Sequence, residues 1–190
     1  GYYPQGGGSI LAEIQPSVVK NSLQCLDRGR LLQIRGLSAV TNLPEDIARR
    51  QRHRLVHRLG SEFPLNDLVV SSLPGTGKGT FLVVLLEYEQ ARACFFSLGE
   101  RGKRAEKIAD EVADSVIAYH HTQGCLDAYL GDQLLLPLCL SNQSTEASLR
   151  RITPHLLTNA AVIRQFLPVD IEIEGKQDQP GLLRIDPRDY

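Results

Sequence analysis

Three short stretches carry residue types and spacings that could do chemistry. Tyr129, Asp132 and Gln133 stand at i, i+3 and i+4, so they share one face if the segment is helical. Together they offer an aromatic surface, an anionic acceptor and an amide that donates and accepts. That set suits a nucleoside, with a ring to stack on and hydrogen bonds to base or ribose. A solvated helix face accounts for the same residues. His155, in ITPHLLTNAAVIRQFL, reads as following a strand and preceding a helix capped by Thr158 or Asn159. A histidine there lies near amides that attract anions, and a neutral imidazole attacking a phosphoryl centre is a known covalent strategy. A hydrogen-bonded structural histidine is the plainer alternative. The third stretch is SSLPGTGKGT, residues 71–80, whose glycines would let amides close around phosphates while Lys78 neutralises them. Its spacing is imperfect. The first glycine of a Walker loop falls at Ser72, and Gly79 stands where Ser or Thr would hold magnesium.

The elements that must position these residues follow from periodicity. Residues 9–19 alternate as a strand broken near Pro16, and residues 30–39 form a second strand. Pro44, Glu45 and Asp46 open a helix that Gly60 closes. Its run RRQRHRLVHR packs seven basic or histidine residues between Arg49 and Arg58. That run reads as a solvated face over buried Leu55, Val56 and Leu59, with an RNA backbone contact as the alternative. Strands are expected at 68–71, 80–88 and 93–98, so the glycine-rich loop joins two strands, as a β-hairpin. A phosphate loop depends instead on free amides opening a helix. Lys103 to His120 is the clearest helix, with Ala105, Ile108, Ala109, Val112, Ala113, Val116 and Ile117 on one face. Residues 27–122 thus give four strands and two helices, a compact module. A helix over 126–140, interrupted at Pro137, is anchored by Leu130, Leu134, Leu135, Leu136 and Leu138. A polar link, a strand at 147–152, a helix at 160–166 and strands at 169–173 and 181–185 complete an α/β (α+β) chain.

Composition narrows the function classes. With 21 basic and 22 acidic residues in 190, bulk charge announces neither a nucleic-acid coat nor an acidic tail. Cys25, Cys94, Cys125 and Cys139 form no metal-ligand spacing and read as free thiols in a reducing compartment. No apolar run reaches ~18 residues, so a cytoplasmic protein without a membrane partner is expected. The chain contains no methionine and starts abruptly at GYYPQGGGSI, which leads us to expect a piece of a longer protein.

Four segments together resemble the RNA 3′-terminal phosphate cyclase family. They are GYYPQGGG at 1–8, LGERGKRAEKIADEVADSV at 98–116, AYLGDQLLLPLCL at 128–140 and ITPHLLTNAAVIRQFLPV at 152–169. They span nearly the whole chain in family order and correspond to roughly the second half of a cyclase. The resemblance implies repeated units of one sheet backed by two helices, shared with enolpyruvyl transferases. It makes residues 1–26 and 123–190 part of the catalytic domain, and 27–122 an inserted thioredoxin-like module. It implies an ATP-dependent enzyme of ligase type that converts an RNA 3′-phosphate into a 2′,3′-cyclic phosphate. His155 would be the nucleophile that takes AMP, and Tyr129, Leu130, Gly131, Asp132 and Gln133 would line the adenylate. Gly131 stands where many members have Ala, and Gln5 where others carry Arg or Ala. A divalent metal, Mg or Mn, is expected, with its acidic ligand in the missing N-terminal half, so the isolated chain should be inactive. The resemblance also makes the likeness of PGTGKGT to the adenylate kinase loop a coincidence. Two alternatives stay open: a silent cyclase-like protein of RNA binding or ribosome assembly, which would lack the nucleophilic histidine, and a P-loop kinase.

Overall fold

The computed structural model describes residues 1–15, 22–60, 62–141 and 143–188. In chain order the elements are β1 (Leu23–Cys25), β2 (Leu31–Thr41), α1 (Asp46–Leu59), β3 (Leu65–Ser72), β4 (Gly79–Tyr88), β5 (Arg92–Leu98) and α2 (Ala105–His120). Then follow α3 (Leu130–Leu140), β6 (Thr145–Leu149), α4 (Pro154–Ile163), β7 (Val169–Gly175) and β8 (Gly181–Pro187). They divide between two compact units. The expected strand at 9–19 is not formed over residues 9–15, and the rest of it lies outside the described residues.

The first unit comprises Gly1–Ile14, Leu31–Tyr88 and Arg92–Ala118. Its sheet runs β3-β2-β4-β5, with β3 parallel and β4 antiparallel to β2. β4 shows why this sequence makes a strand. Leu82, Val84, Leu86 and Tyr88 alternate into the core at the period of 2 that a half-buried strand requires. α1 packs against β2, β3 and β4. Its buried side is Ala48, Gln51, Leu55 and Leu59, whereas Val56 is turned to solvent, against expectation. Gln51 tolerates full burial because its amide is satisfied on both sides. Its Nε2 donates to Thr80 Oγ1 at 2.9 Å, and its Oε1 accepts from Ser38 Oγ at 2.7 Å. The apolar face of α2 is buried from Ala105 to Val116 at the helical period, as the sequence predicts.

The second unit comprises Gln15–Arg30, Glu89–Ala91 and Tyr119–Tyr190. Its sheet runs β1-β6-β8-β7, with β1 parallel to β6 and the other pairs antiparallel. One face carries the core, where Leu135 and Cys139 of α3 and Leu156, Ala160 and Ile163 of α4 meet Ala147, Leu149, Ile171, Leu183 and Ile185 of the strands. Each fully buried Leu or Ile contributes about 1.5–3 kcal/mol, so this one layer holds both helices to the sheet. The expected pattern of one sheet backed by two helices is present. Leu136 is the exception among the expected anchors: it points outward, half-exposed. The C-terminal carbonyls of α2 are closed off by Arg28, 6% exposed. Its guanidinium donates to Tyr119 O at 2.8 Å, His120 O at 2.6 Å and Thr122 O, and lies 4.5 Å from the centre of the Tyr119 ring.

Candidate functional site

Both segments carrying the candidate residues of the second unit leave the sheet at one place. Leu126 pairs with Leu149 at the C-terminal end of β6, its amide donating to Ser148 O at 3.0 Å. The returning Arg150 amide donates to Leu126 O at 2.9 Å. Gly124 makes this approach possible, because a Cβ there would sit 2.2 Å from the Arg150 nitrogen. The bridge is parallel, so both segments leave it in the same direction, one into α3 and the other into α4. The heads of the two helices therefore spring from the same strand end.

The head of α3 is set by Asp127, a residue the sequence reading passed over. Its Oδ1 accepts from the amides of Tyr129 at 2.8 Å and Leu130 at 3.0 Å, two donors that the first helical turn leaves unpaired. The signal was present as an aspartate just before an apolar run. The helix starts at Leu130 rather than 126, because residues 126–129 are committed to the bridge and this cap. Tyr129 is its N-cap residue, with the ring 66% exposed. Tyr129 O accepts from Gln133 N at 3.3 Å, so the backbone already follows the helical course. Asp132 is half-buried and Gln133 exposed, while Leu130 packs on the core. Gly131 is buried, and an added methyl would meet Leu149 Cδ2 at 3.1 Å.

His155 lies inside a helix, not ahead of one. α4 begins at Pro154, and its N-cap is Thr153, not Thr158 or Asn159. Thr153 Oγ1 accepts from Leu156 N at 3.1 Å, and Pro154 supplies a first helical residue with no donor to satisfy. The Thr-Pro pair was the legible signal. His155 is thus the second helical residue, exposed, in the turn whose free amides carry the helix's partial positive charge.

The remaining sequence candidates have structural partners. The glycine-rich loop joins β3 to β4 without a helix after it. It is not a hairpin, since β3 and β4 both pair with β2 rather than with each other. Asn42, in the left-handed region at φ 50°, donates its Nδ2 to Gly75 O at 2.8 Å and Gly77 O at 3.0 Å, and Lys78 is exposed. The basic run on α1 pairs with acids of α2. Arg50 binds Glu106, Arg54 binds Asp110, and Arg58 spans Asp110 and Asp114. Those arginines hold the Asp110 carboxyl below its usual range. Beside them is a groove of about 570 Å³ lined by Arg49, Arg52, His53, His57 and Val70. All four cysteines are free, three of them buried. Burial and the neighbouring Cys125 push the Cys25 thiol up to about 12. Among the described residues no three of His, Cys, Asp and Glu come together as a metal group. Among them, too, no helix is long and apolar enough to cross a membrane.

Comparison with known proteins adds the last observations. Residues 26–121 match the family model of the RNA 3′-terminal phosphate cyclase (RTC) insert domain. An RNA 3′-terminal phosphate cyclase of Ralstonia nicotianae is 36% identical over 183 residues, covering 94% of this chain and 50% of that protein. One from Thermococcus onnurineus is 36% identical over 190 residues, covering 97% and 54%. One from Methanopyrus kandleri is 32% identical over 194 residues, covering 98% and 55%. The chain spans about half the length of the curated relatives it matches.

Proposed function

Because the chain belongs to the RNA 3′-terminal phosphate cyclase family, we propose that the protein uses ATP to close an RNA 3′-phosphate end into a 2′,3′-cyclic phosphate. His155 attacks the α-phosphorus of ATP, its nitrogen forming a bond to phosphorus as the bond to pyrophosphate breaks. AMP then passes to an oxygen of the RNA 3′-phosphate and frees the imidazole. The neighbouring 2′-hydroxyl attacks the phosphorus of the RNA 3′-phosphate and gives up its proton, and the bond from that phosphorus to the bridging oxygen breaks to expel AMP, which leaves the cyclic ester.

The single observation that supports this reading is the common origin of α3 and α4 at the end of β6. It offers an adenosine surface and a nucleophile from two adjoining helix heads. Tyr129 presents an open ring on which adenine stacks, and Asp132 and Gln133 on the same turn reach its polar edges. Leu130 and Gly131 fix that turn against the core. Thr153 and Pro154 fix the turn that carries His155, so the imidazole meets the phosphate where helix amides favour negative charge. A divalent cation, Mg or Mn, would accompany the ATP and offset its triphosphate charge.

The test is self-adenylation of the full-length protein with ATP labelled at the α-phosphate. Wild type acquires acid-labile label and His155→Ala acquires none. Label retained by His155→Ala overturns the choice of nucleophile. RNA binding with no pyrophosphate release overturns the enzymatic reading in favour of a silent family relative.

A further inference from the structure

Arginines in the second unit divide sharply. Arg28, Arg30, Arg164, Arg184 and Arg188 each donate to a carboxylate or a backbone carbonyl, and Arg151 is exposed to solvent. Arg150 is half-buried, yet its side chain makes no hydrogen bond or ion pair among the described residues. Burial, and then the adjacent charge of Arg151, pull its guanidinium below the usual arginine range, while Asp127, Tyr119 and Tyr129 lie within electrostatic reach and offset part of this. The carboxylate within that reach has one oxygen already engaged, since Asp127 Oδ1 caps α3. A partly desolvated cation without an acceptor is unfavourable in the free protein. A ligand that brings an acceptor recovers that cost.

Position says which acceptor. Arg150 follows β6 directly, its backbone is tied to Leu126, and it stands three residues before the Thr153 cap. It therefore sits between the strands of chain that lead to the heads of α3 and α4, where helix amides add positive potential that Asp127 and Asp132 offset at α3, whereas α4 has no acidic residue in its first turn. A guanidinium presents paired donors that match a phosphate's oxygens, and the helix amides favour the same charge. We propose that Arg150 is a phosphate-binding residue, which takes a phosphate group of a nucleotide or of an RNA 3′ end between the segments carrying Tyr129 and His155. The identity of the phosphate donor rests on the cyclase reading; the site itself does not.

The experiment compares the 190-residue chain with Arg150→Gln and Arg150→Lys in three ligand pairs. These are ATP against adenosine, RNA ending in a 3′-phosphate against the same RNA ending in a 3′-hydroxyl, and inorganic pyrophosphate against no addition in a thermal melt. Arg150→Gln is expected to lose about tenfold of the preference for the phosphorylated partner, with Arg150→Lys between it and wild type. Adenosine binding is unchanged. Because Arg150 has no partner to lose, the ligand-free melting temperature of Arg150→Gln is expected to equal or exceed that of wild type. Whichever of the first two preferences falls identifies the source of the phosphate. Pyrophosphate protection that disappears in Arg150→Gln supports the site even where ATP does not bind, an outcome that would count against the cyclase reading alone. Equal phosphate preference in all three proteins overturns the proposal. So does a lower ligand-free melting temperature with adenosine and ATP binding lost together, since that is the signature of a structural arginine.

Discussion

Replacing Arg28 by Met removes one side chain that closes the end of α2 and anchors residues 119–124. The guanidinium is 6% exposed and makes well-formed bonds to Tyr119 O and His120 O, a further one to Thr122 O and a long contact of 3.5 Å to Gly124 O. A bond from a charged donor contributes about 1.5–3 kcal/mol, and a cation at a helix C-terminus about 0.3–2. Stacking on Tyr119 adds about 0.5–1 kcal/mol. Against these stands the desolvation of the guanidinium, several kcal/mol, which Met does not incur. Water reaches part of the site because His121 and Gln123 are exposed, so some carbonyls are rehydrated in the variant. The balance is a loss of about 3 kcal/mol, with Arg28→Lys recovering only about 1, because an ammonium cannot address three carbonyls in one plane. Far-UV circular dichroism in urea measures the loss. Hydrogen exchange locates it at the Cys125 and Leu126 amides, which are held by Ser148. A loss below about 1 kcal/mol, or unchanged exchange at those two amides, would refute the argument that carbonyl capping dominates desolvation here.

Further outcomes are expected. The 190-residue chain alone should self-adenylate at least about a thousandfold more slowly than the full-length protein, since among the described residues no acidic cluster comes together to place a cation on the triphosphate; a rate near the full protein's would contradict this, and recovery on mixing with the first half would support it. Tyr129→Ala should weaken ATP binding by about 1–3 kcal/mol without unfolding the second unit, because its ring is exposed; calorimetry and a melt together check both halves. Asp110, held low by Arg54 and Arg58, contributes stability that is present above its unfolded value and lost as pH falls through its lower folded value. Asp110→Asn should therefore cost about 1 kcal/mol at pH 7 and progressively less as pH falls below the usual carboxylate range, and a pH-independent cost would argue against ion pairing. In the native chain only Cys94 should react quickly with iodoacetamide, because Cys25, Cys125 and Cys139 are buried and the Cys25 thiol is held protonated by burial; mass spectrometry of tryptic peptides decides.

Periodicity spoke most clearly along α2 and β4, and failed over residues 9–15 and at Val56 and Leu136. The seven-position stripe on α2 and the period of 2 along β4 are direct readings of how helices and strands face a core. Element ends were less legible, because caps are set by one residue against the pull of a continuous apolar run. Asp127 and Thr153 each moved a helix start, forward for α3 and back for α4. Partnering was not legible at all. That β3 and β4 avoid each other, that Gln51 is buried, and that the α1 arginines face acids some 50 residues away depend on contacts no local window contains. For the site, His155 and Tyr129 were visible as residue types. Asp127 and Arg150 owe their places to the Leu126–Leu149 bridge, which pairs segments with no shared pattern.

The Arg28 clasp also sets a chain-topological coupling. It joins residue 28 to residues 119–124, and Glu89 is bonded to Arg30, so residues 31–88 form a loop whose ends are pinned within the second unit. While the first unit is folded, that loop is short in effect, because most of its length is immobilised. When the first unit melts, the Arg30–Glu89 contact must close a flexible loop of about 59 residues instead of an effective handful, about three doublings at about 0.6 kcal/mol each. The second unit thereby loses roughly 2 kcal/mol through polymer statistics alone, with no interface required. Short polar linkers in place of residues 31–88 and 92–118 would erase that penalty and leave the helix heads of α3 and α4 on a scaffold that no longer answers to its neighbour's melting.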